Sequence, residues 1–257
     1  MTVERVVTSG IFSLDGEDFE VDNNIWLVGD GDQVLVIDAA HDHEAIVAAV
    51  GDRRCVAIVC THGHNDHINA AVALADAVGA PLLLHPDDLM LWEVVNPDRA
   101  PDGELADGQV LAVGGLQLRV LHTPGHSPGG CCLHLASEGV LFSGDTLFHG
   151  GPGATGRSFS DEGEILRSIA RSLLPLPADT VVHTGHGDDT TIGAEAPGVL
   201  TDLLDRVLVA RVDRVGGAEL LGLLELPVVD VDRDDRRRAG DLATLNGGVA
   251  DAAAADD

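Results

Sequence analysis

Three histidines and one aspartate lie close together in residues 61–67, directly after a short apolar run. Such a run followed by a glycine-containing loop is typical of a buried strand and the loop at its end. Neutral imidazole and carboxylate are ligands that Zn²⁺, Fe²⁺ and Mn²⁺ accept. We therefore expect His62 and His64 to reach one metal ion, and Asp66 and His67 to reach a second ion beside it.

Three further loops carry the same residue types, each after an apolar run and beside a glycine. They supply His126, Asp145 and His186. Four separated loops that end in metal ligands are what a dinuclear site at one edge of a layered α/β fold requires. One such loop is weak support, whereas four in this order predict a metal centre.

At these positions the chain resembles the metallo-β-lactamase-fold hydrolases. The matching positions are metal ligands or a neighbouring carboxylate: Asp38, the block at 62–67, His126, Asp145 and His186. Segments 123–129, 143–148 and 156–158 are most similar to the glyoxalase II-like (hydroxyacylglutathione hydrolase-like) branch. The resemblance covers roughly residues 10–195 and implies an α/β fold, the four-layer αββα sandwich.

The resemblance also implies how the ligands divide between two divalent metal ions, which we expect to be zinc, with iron or manganese as alternatives. The first ion would take three histidines, the second a mixed set, and one carboxylate would bridge them: His62, His64 and His126; Asp66, His67 and His186; and Asp145. Asp66 and Asp145 are the catalytic candidates. The resemblance makes Asp38 a buried structural carboxylate rather than a catalytic one.

Two divalent ions at such a site imply hydrolysis. A water shared by two cations has its pKa lowered towards neutrality, and the metal-bridging hydroxide is the expected nucleophile on a carbonyl. The four loops offer no obvious general acid beyond the ligands. A thiolate leaves without a strong acid, so the expected substrate is a small thioester of a low-molecular-weight thiol.

Arg157 and His149 are the candidates for substrate binding. His149 lies in the glycine-rich loop 148–156, which borders the substrate in the family, and Arg157 could hold a carboxylate or form a structural ion pair. The cationic glutathione-binding residues of a true glyoxalase II have no match in the C-terminal part of this chain. Abundant Ala, Gly, Val, Asp and Arg are typical of a GC-rich, actinobacterial coding sequence, so mycothiol is the expected thiol.

Three other functions stay open. An iron-dependent persulfide dioxygenase of similar fold would use His62, His126 and Asp145 as a two-histidine, one-carboxylate triad. A β-lactam hydrolase normally carries a signal peptide, and the first residues lack its basic and apolar segments. A binding domain without turnover would usually have lost a ligand. Lactone-hydrolysing relatives use a tyrosine, and this chain has 0 Tyr.

Composition narrows the partners and the compartment. There are 43 acidic and 15 basic residues, all of the latter arginine, and the net charge of −28 repels polyanions. We therefore expect a small-molecule substrate and no nucleic acid. The absence of an eighteen-residue apolar run predicts no membrane span. Four cysteines without a disulfide spacing predict reduced thiols and a cytoplasmic protein, whose oligomeric state stays open.

Hydrophobic periods and turn residues predict the elements of the sandwich. They are a hairpin of 24–28 and 34–38, helices over 43–50, 69–78, 86–95 and 163–173, and strands over 81–84, 116–121, 131–135, 140–143 and 180–182. We expect a catalytic domain over 1–197, a helical extension over 198–227 and a disordered acidic, alanine-rich tail over 228–257. Structural or surface roles are expected for His41, His43, His85, His122 and His134, and a place at a strand end for His183.

Overall fold

A long antiparallel hairpin opens the chain in the computed structural model, which describes residues 2–212 and the side chains as far as residue 206. Its strands are β1 (Thr2–Leu14) and β2 (Glu17–Gly29). Asp15 and Gly16 both have positive φ, 55° and 82°, as a tight two-residue hairpin turn requires. The sequence analysis did not predict β1, because Thr8 alone among its residues is buried and no run of core side chains marks the strand.

The hairpin begins a sheet of six strands in the order β1-β2-β3-β4-β5-β6. The remaining strands are β3 (Gln33–Ile37), β4 (Arg54–Val59), β5 (Leu82–Leu84) and β6 (Gly103–Glu104). Trp26 of β2 lies opposite Ile37 of β3, which confirms the predicted hairpin of 24–28 with 34–38. From β3 to β6 the strands run parallel, so the loops after them leave the sheet at one edge.

A second sheet also has six strands, in the order β14-β13-β10-β9-β8-β7. They are β7 (Val110–Val113), β8 (Leu116–His122), β9 (Cys131–Leu135), β10 (Val140–Gly144), β13 (Val181–Thr184) and β14 (Thr190–Thr191). A separate two-stranded ribbon is made of β11 (Leu147–Phe148) and β12 (Gly151–Pro152). The predicted strands of this sheet are confirmed, and those that were missed are too short to show a period.

Helices cover the outer faces of both sheets. They are α1 (His43–Val50), α2 (Asn65–Ile68), α3 (Ala71–Val78), α4 (Leu89–Val95), α5 (Glu162–Ser168) and α6 (Ile192–Val212). The predicted helix over 69–78 begins later, at Ala71, since α2 ends at Ile68 and Ala70 caps α3. The predicted helix over 86–95 begins with a 3₁₀ turn at Pro86–Asp88, and α5 continues as a π-helical turn over Ile169–Leu173.

Three apolar cores separate the four layers. Along β2, Ile25 and Leu27 pack against the helices on one side, whereas Trp26 and Val28 pack against the second sheet. The third core lies between the second sheet and α5 with α6. Neighbouring side chains of a strand point to opposite faces, so one strand serves two cores. The αββα sandwich that the resemblance implied is therefore confirmed.

All four cysteines are buried and unpaired, in agreement with the sequence prediction. Cys131 packs between the sheets, and its neighbour Cys132 packs under α5 and α6. Among the helices of residues 2–212, none is long and apolar enough to span a membrane.

Helix α6 runs through residue 197, where the sequence predicts the end of the catalytic domain. The predicted tail over 228–257 and half of the extension over 198–227, residues 213–227, lie outside the described residues. The division of the chain into these parts stays a prediction.

Candidate metal centre

The seven predicted ligands all lie at one edge of the sandwich. His62 and His64 follow β4, and α2 carries Asp66 and His67. The other three lie in the loop between β8 and β9, directly after β10 and directly after β13, and are His126, Asp145 and His186. Because β10 and β13 run parallel, their following loops meet at the same edge. Each predicted ligand is thus brought to one place by its own strand or helix.

The three histidines of the first set point their ring nitrogens at one another. His64 Nδ1 lies 3.0 Å from His62 Nε2 and 3.0 Å from His126 Nε2. A tetrahedral zinc ion with Zn–N bonds of about 2.0–2.1 Å separates its ligand atoms by about 3.3 Å. The spacing of these nitrogens is therefore close to that of three ligands of a single ion.

The second set has the same spacing. His67 Nε2 and His186 Nε2 are 3.2 Å apart, and Asp66 Oδ2 lies 3.3 Å from His186 Nε2 and 3.6 Å from His67 Nε2. All three side chains are buried or half-buried. Two imidazoles and one carboxylate make a donor set that divalent transition metals accept.

Asp145 lies against both sets. Its Oδ1 is 3.4 Å from His67 Nε2, and its Oδ2 is 3.5 Å from both His126 Nε2 and His186 Nε2. This is the place that a bridging carboxylate must occupy, so the structure brings the predicted bridge to the boundary between the two sets.

In three of the five ligand histidines, a hydrogen bond at the outer ring nitrogen fixes which nitrogen faces the centre. The Nδ1 atoms of His67, His126 and His186 donate to Asp38 Oδ2 at 2.8 Å, to the carbonyl of Ala154 at 2.8 Å and to the carbonyl of Asp22 at 2.7 Å. A metal-ligating imidazole is neutral and has a single N–H, so each Nε2 is the nitrogen that would present a lone pair to an ion at the centre. Converging lone pairs repel one another unless a cation lies between them.

Two buried carboxylate oxygens at the centre, Asp66 Oδ1 and Asp145 Oδ1, have no hydrogen-bond partner within the protein. Buried polar atoms are normally satisfied, and an unsatisfied one is costly. Together with the converging lone pairs, these atoms fit a pair of divalent metal ions.

The pKa values of the ligand histidines differ between the first set and the second set. Burial lowers the pKa of His62 well below its usual range and that of His64 to about 3, so both are neutral at pH 7. For His186, burial also lowers the pKa, but the Asp145 carboxylate outweighs it and raises the pKa to about 10. The second set therefore attracts positive charge strongly.

Asp145 shows the reverse balance. Burial raises its pKa, but the neighbouring His67 and His186 outweigh the burial and hold the pKa well below the usual range. The carboxylate is therefore ionised at pH 7, as a metal ligand must be.

Asp38 is a buried structural carboxylate, as the resemblance implied. It is 2% exposed and accepts hydrogen bonds from the backbone N–H of Thr61 at 2.7 Å and from the Thr61 hydroxyl at 2.9 Å, besides the one from His67. Its φ of 59° lies in the left-handed region, which is costly for an aspartate. The strained backbone lets one carboxylate orient the ligand loop after β4.

Sequence reasoning missed Asn23, which is fully buried beside the second set. Its Nδ2 lies 3.2 Å from Asp66 Oδ2, and its Oδ1 lies 2.9 Å from His41 Nε2. The His41 ring is in turn fixed by Asn69, whose Nδ2 lies 3.0 Å from His41 Nδ1. Nothing in the local sequence marks an asparagine as a neighbour of ligands more than forty residues away.

A cavity of about 340 Å³ opens over the ligands. Phe12, Val21, Asp22 and Ala154 line it together with five of the ligands. The Phe12 ring packs edge-on against His64, with ring centroids 5.4 Å apart. Because three of these residues belong to the long hairpin, that hairpin forms one wall of the cavity.

The two predicted substrate-binding residues do not line this cavity. Arg157 donates to Glu17 Oε2 at 3.0 Å, and its guanidinium lies 4.8 Å from the Phe19 ring centroid. His149 is exposed at the turn between β11 and β12. Their roles in substrate binding stay predictions.

Three histidines outside the ligand sets stack on other rings. His183 stacks on Trp26 at 4.1 Å and pairs with Asp189 at 2.9 Å, as expected of a side chain at a strand end. His85 and His122 stack on each other, with ring centroids 4.0 Å apart.

Fold and ligand geometry define a class of protein, and comparison with known proteins agrees. The sequence profile of the metallo-beta-lactamase superfamily matches residues 19–186. The chain therefore belongs to the metallo-beta-lactamase superfamily and is a metallo-hydrolase.

Within the superfamily, the chain is similar to a hydroxyacylglutathione hydrolase, as the sequence resemblance led us to expect. Hydroxyacylglutathione hydrolase GloC of Haemophilus influenzae is 33% identical over 187 residues, which cover 66% of this chain and 87% of the relative.

Two solved structures share the fold at comparable identity. The BLEG-1 B3 metallo-beta-lactamase has a TM-score of 0.64 at 30% identity, covering 74% of this chain and 97% of that one. TTHA1623 in a di-iron-bound form has a TM-score of 0.62 at 35% identity, covering 68% and 93%.

Proposed function

We propose that this protein hydrolyses a small thioester of a low-molecular-weight thiol at a centre of two zinc ions. The observation that carries the proposal is the complete second ligand set beside the first, with Asp145 in contact with both. A metal pair bound there would lower the pKa of a shared water and polarise a carbonyl oxygen.

The residues around the centre favour a substrate with a good leaving group. Among the described residues that line the cavity, the titratable side chains are Asp22 and the ligands themselves. Because the ligands would be committed to the metals, the lining offers Asp22 alone and no free histidine or cysteine as a dedicated proton donor. A departing thiolate needs none, whereas an amine or alkoxide does.

Apolar side chains in the cavity lining would determine which acyl groups of a substrate fit next to the metals. Phe12 and Val21 form the hairpin wall of the cavity, and Ala154 also lines it. These side chains would pack against a short acyl group and keep additional water away from it. The similarity to GloC, whose name gives a hydroxyacylglutathione as its substrate, supports the same chemistry.

The thiol itself is a finer proposal. The cavity lining contains no arginine among the described residues, and the chain lacks lysine altogether. A thiol such as mycothiol, which has a sugar core, would suit this lining better than glutathione with its two free carboxylates. The four unpaired thiols would fit an enzyme of the cytoplasm. Its substrate would be a small molecule and not a nucleic acid.

A second candidate is an iron-dependent persulfide dioxygenase that uses His62, His126 and Asp145. The di-iron form of TTHA1623 supports iron as a metal for this fold. The complete second set argues for two metals instead of one. β-Lactam hydrolysis ranks third, supported by the similarity to BLEG-1.

Metal content decides between the first two. Protein purified without added metal is analysed by inductively coupled plasma mass spectrometry and assayed for thiol release from a panel of acyl thioesters. About two zinc ions per chain with thioester turnover is the expected result. One iron per chain with oxygen uptake on a persulfide would overturn the proposal, as would turnover confined to β-lactams.

A further inference from the structure

Asp88 is a fully buried carboxylate outside the ligand set. It ends the 3₁₀ turn Pro86–Asp88 and takes the N-cap position of α4, but its side chain makes no capping hydrogen bond to that helix. An aspartate at an N-cap usually accepts from the first turn of its own helix. Its carboxylate is therefore used elsewhere.

The carboxylate of Asp88 joins the two loops that carry the first ligand set. Oδ2 accepts from the backbone N–H of Gly63 at 2.8 Å and from the hydroxyl of Ser127 at 2.7 Å, and Oδ1 accepts from the backbone N–H of Gly129 at 2.6 Å. Gly63 lies between His62 and His64, and Ser127 directly follows His126.

Close packing around Asp88 explains why glycine occupies both loops. A Cβ atom on Gly129 would lie 2.7 Å from Asp88 Cγ, and one on Gly63 would lie 2.8 Å from the Cβ of Leu91 and 3.0 Å from the Asp88 carbonyl oxygen. Either contact would push the loop away from the carboxylate. The glycines thus allow two backbone segments to reach one side chain.

A buried carboxylate is costly unless hydrogen bonds compensate it. Burial raises the pKa of Asp88, while Ser127, Gly129 and Gly63 lower it by their hydrogen bonds. Three short hydrogen bonds from two separate loops make the carboxylate a fixed point for both loops.

We propose that Asp88 is a positioning residue for the first metal: it holds the loops of His62, His64 and His126 at the spacing that one ion requires. The inference rests on the proposed two-metal site. Groups that orient metal ligands without touching the metal commonly change metal affinity 10- to 100-fold on substitution. The effect of Asp88 should be confined to the first set, because its hydrogen bonds reach only the loops of that set.

The test measures zinc affinity at each set separately, by competition with a chromogenic chelator. Asp88→Asn keeps the shape of the side chain but turns an amide N–H₂ towards one of the three donors. In a His186→Ala background, which leaves the first set intact, Asp88→Asn is expected to weaken zinc binding at least about tenfold. In a His62→Ala background, which leaves the second set intact, the change should stay within about threefold.

Two further variants keep the result interpretable. Ser127→Ala removes one of the three hydrogen bonds and should give a smaller loss at the first set, even if Asp88→Asn folds poorly. Asp98→Asn is the control: this aspartate, in the loop after α4, is exposed, and zinc affinity should be unchanged.

Unchanged first-set affinity in both Asp88→Asn and Ser127→Ala would overturn the inference, and so would equal losses at the two sets, which would mean general destabilisation. Failure of the unsubstituted protein to bind two metals would instead overturn the proposed function. The two failures are therefore distinguishable.

Discussion

A single carboxylate, Asp145, contacts ligands of both sets. Its two oxygens lie 3.4–3.5 Å from ring nitrogens of His67, His126 and His186. Among the described residues, no other side chain is paired with ring nitrogens of both sets. The bridging position is therefore the point at which one substitution has the largest effect.

Replacing this residue should affect both metals. Asp145→Ala is expected to lower the metal content at both sites and to reduce kcat/KM by about 10³-fold or more, since a charge shared by two cations is lost. Metal analysis and thioester kinetics on the same preparation check this. Turnover at the rate of the unsubstituted protein would contradict the two-metal mechanism.

A substitution at Arg157 tests whether this residue binds the substrate. If it binds a substrate carboxylate, Arg157→Ala should raise KM several-fold with little change in kcat, because the contact lies away from the reacting atoms. Glu17→Ala frees the guanidinium from its present partner and should then lower KM. Equal, small effects of both variants would instead indicate an ion pair that serves only the hairpin.

At the scale of elements, the hairpin β1–β2 is the part of the fold that shapes the cavity. Asn65 of α2 attaches it: Nδ2 donates to the carbonyl of Ile11 at 2.9 Å, and Oδ1 accepts from the N–H of Ser13 at 2.9 Å. Both bonds lie next to Phe12, the side chain that packs on His64. One asparagine thus connects the ligand helix to the wall above it.

Asn65→Ala should loosen this wall without unfolding the protein. Backbone amides near residues 11–14 are expected to exchange with deuterium at least about tenfold faster, because two hydrogen bonds that hold them are lost. Hydrogen exchange with mass spectrometry measures the change. Ser9→Ala is the control, since its hydroxyl bonds Asp22 within the hairpin and not α2; equal acceleration in both variants would contradict the proposed attachment.

At the scale of the whole molecule, the composition makes alkaline titration unusually simple. The chain has 0 Tyr and no lysine, so few groups besides its 4 cysteines ionise between pH 9 and 11. Burial raises the pKa of Cys55 and Cys132 to about 11, and that of Cys60 and Cys131 well above the usual value of 9.0.

The free energy of unfolding should therefore fall as pH rises above 9. The unfolded chain loses its thiol protons near the ordinary pKa while the native protein keeps them, so this contribution is complete below pH 9 and is lost as pH rises through the native values. The expected slope is about 1 kcal/mol per pH unit for each thiol.

Urea unfolding of the metal-loaded protein at several pH values measures this slope. The metals must be bound, because the His186 pKa of about 10 in the metal-free site lies in the same pH range. Cys55→Ala removes one titrating thiol far from the ligands and should reduce the slope. A slope near zero in the unsubstituted protein would show that the thiols ionise alike in both states.

The types and spacing of the residues are enough to predict the candidate metal ligands and most of the buried strands. The ligands are recognisable in the sequence because each lies in a short glycine-containing segment within a few residues of a strand end, so a local pattern suffices to find it. The buried strands are also recognisable in the sequence, because their apolar runs supply the cores of the sandwich. The resemblance to a known family then supplied the division of the ligands.

Only the tertiary structure decided which residues from elsewhere in the chain support those ligands. Asn23 reaches Asp66 across forty-three positions and Asp88 reaches Gly129 across forty-one, through hydrogen bonds that leave no trace in local sequence. The hairpin wall and the pairing of Arg157 with Glu17 are equally long-range. Such contacts depend on how the layers pack, whereas a ligand's identity depends on its own side chain.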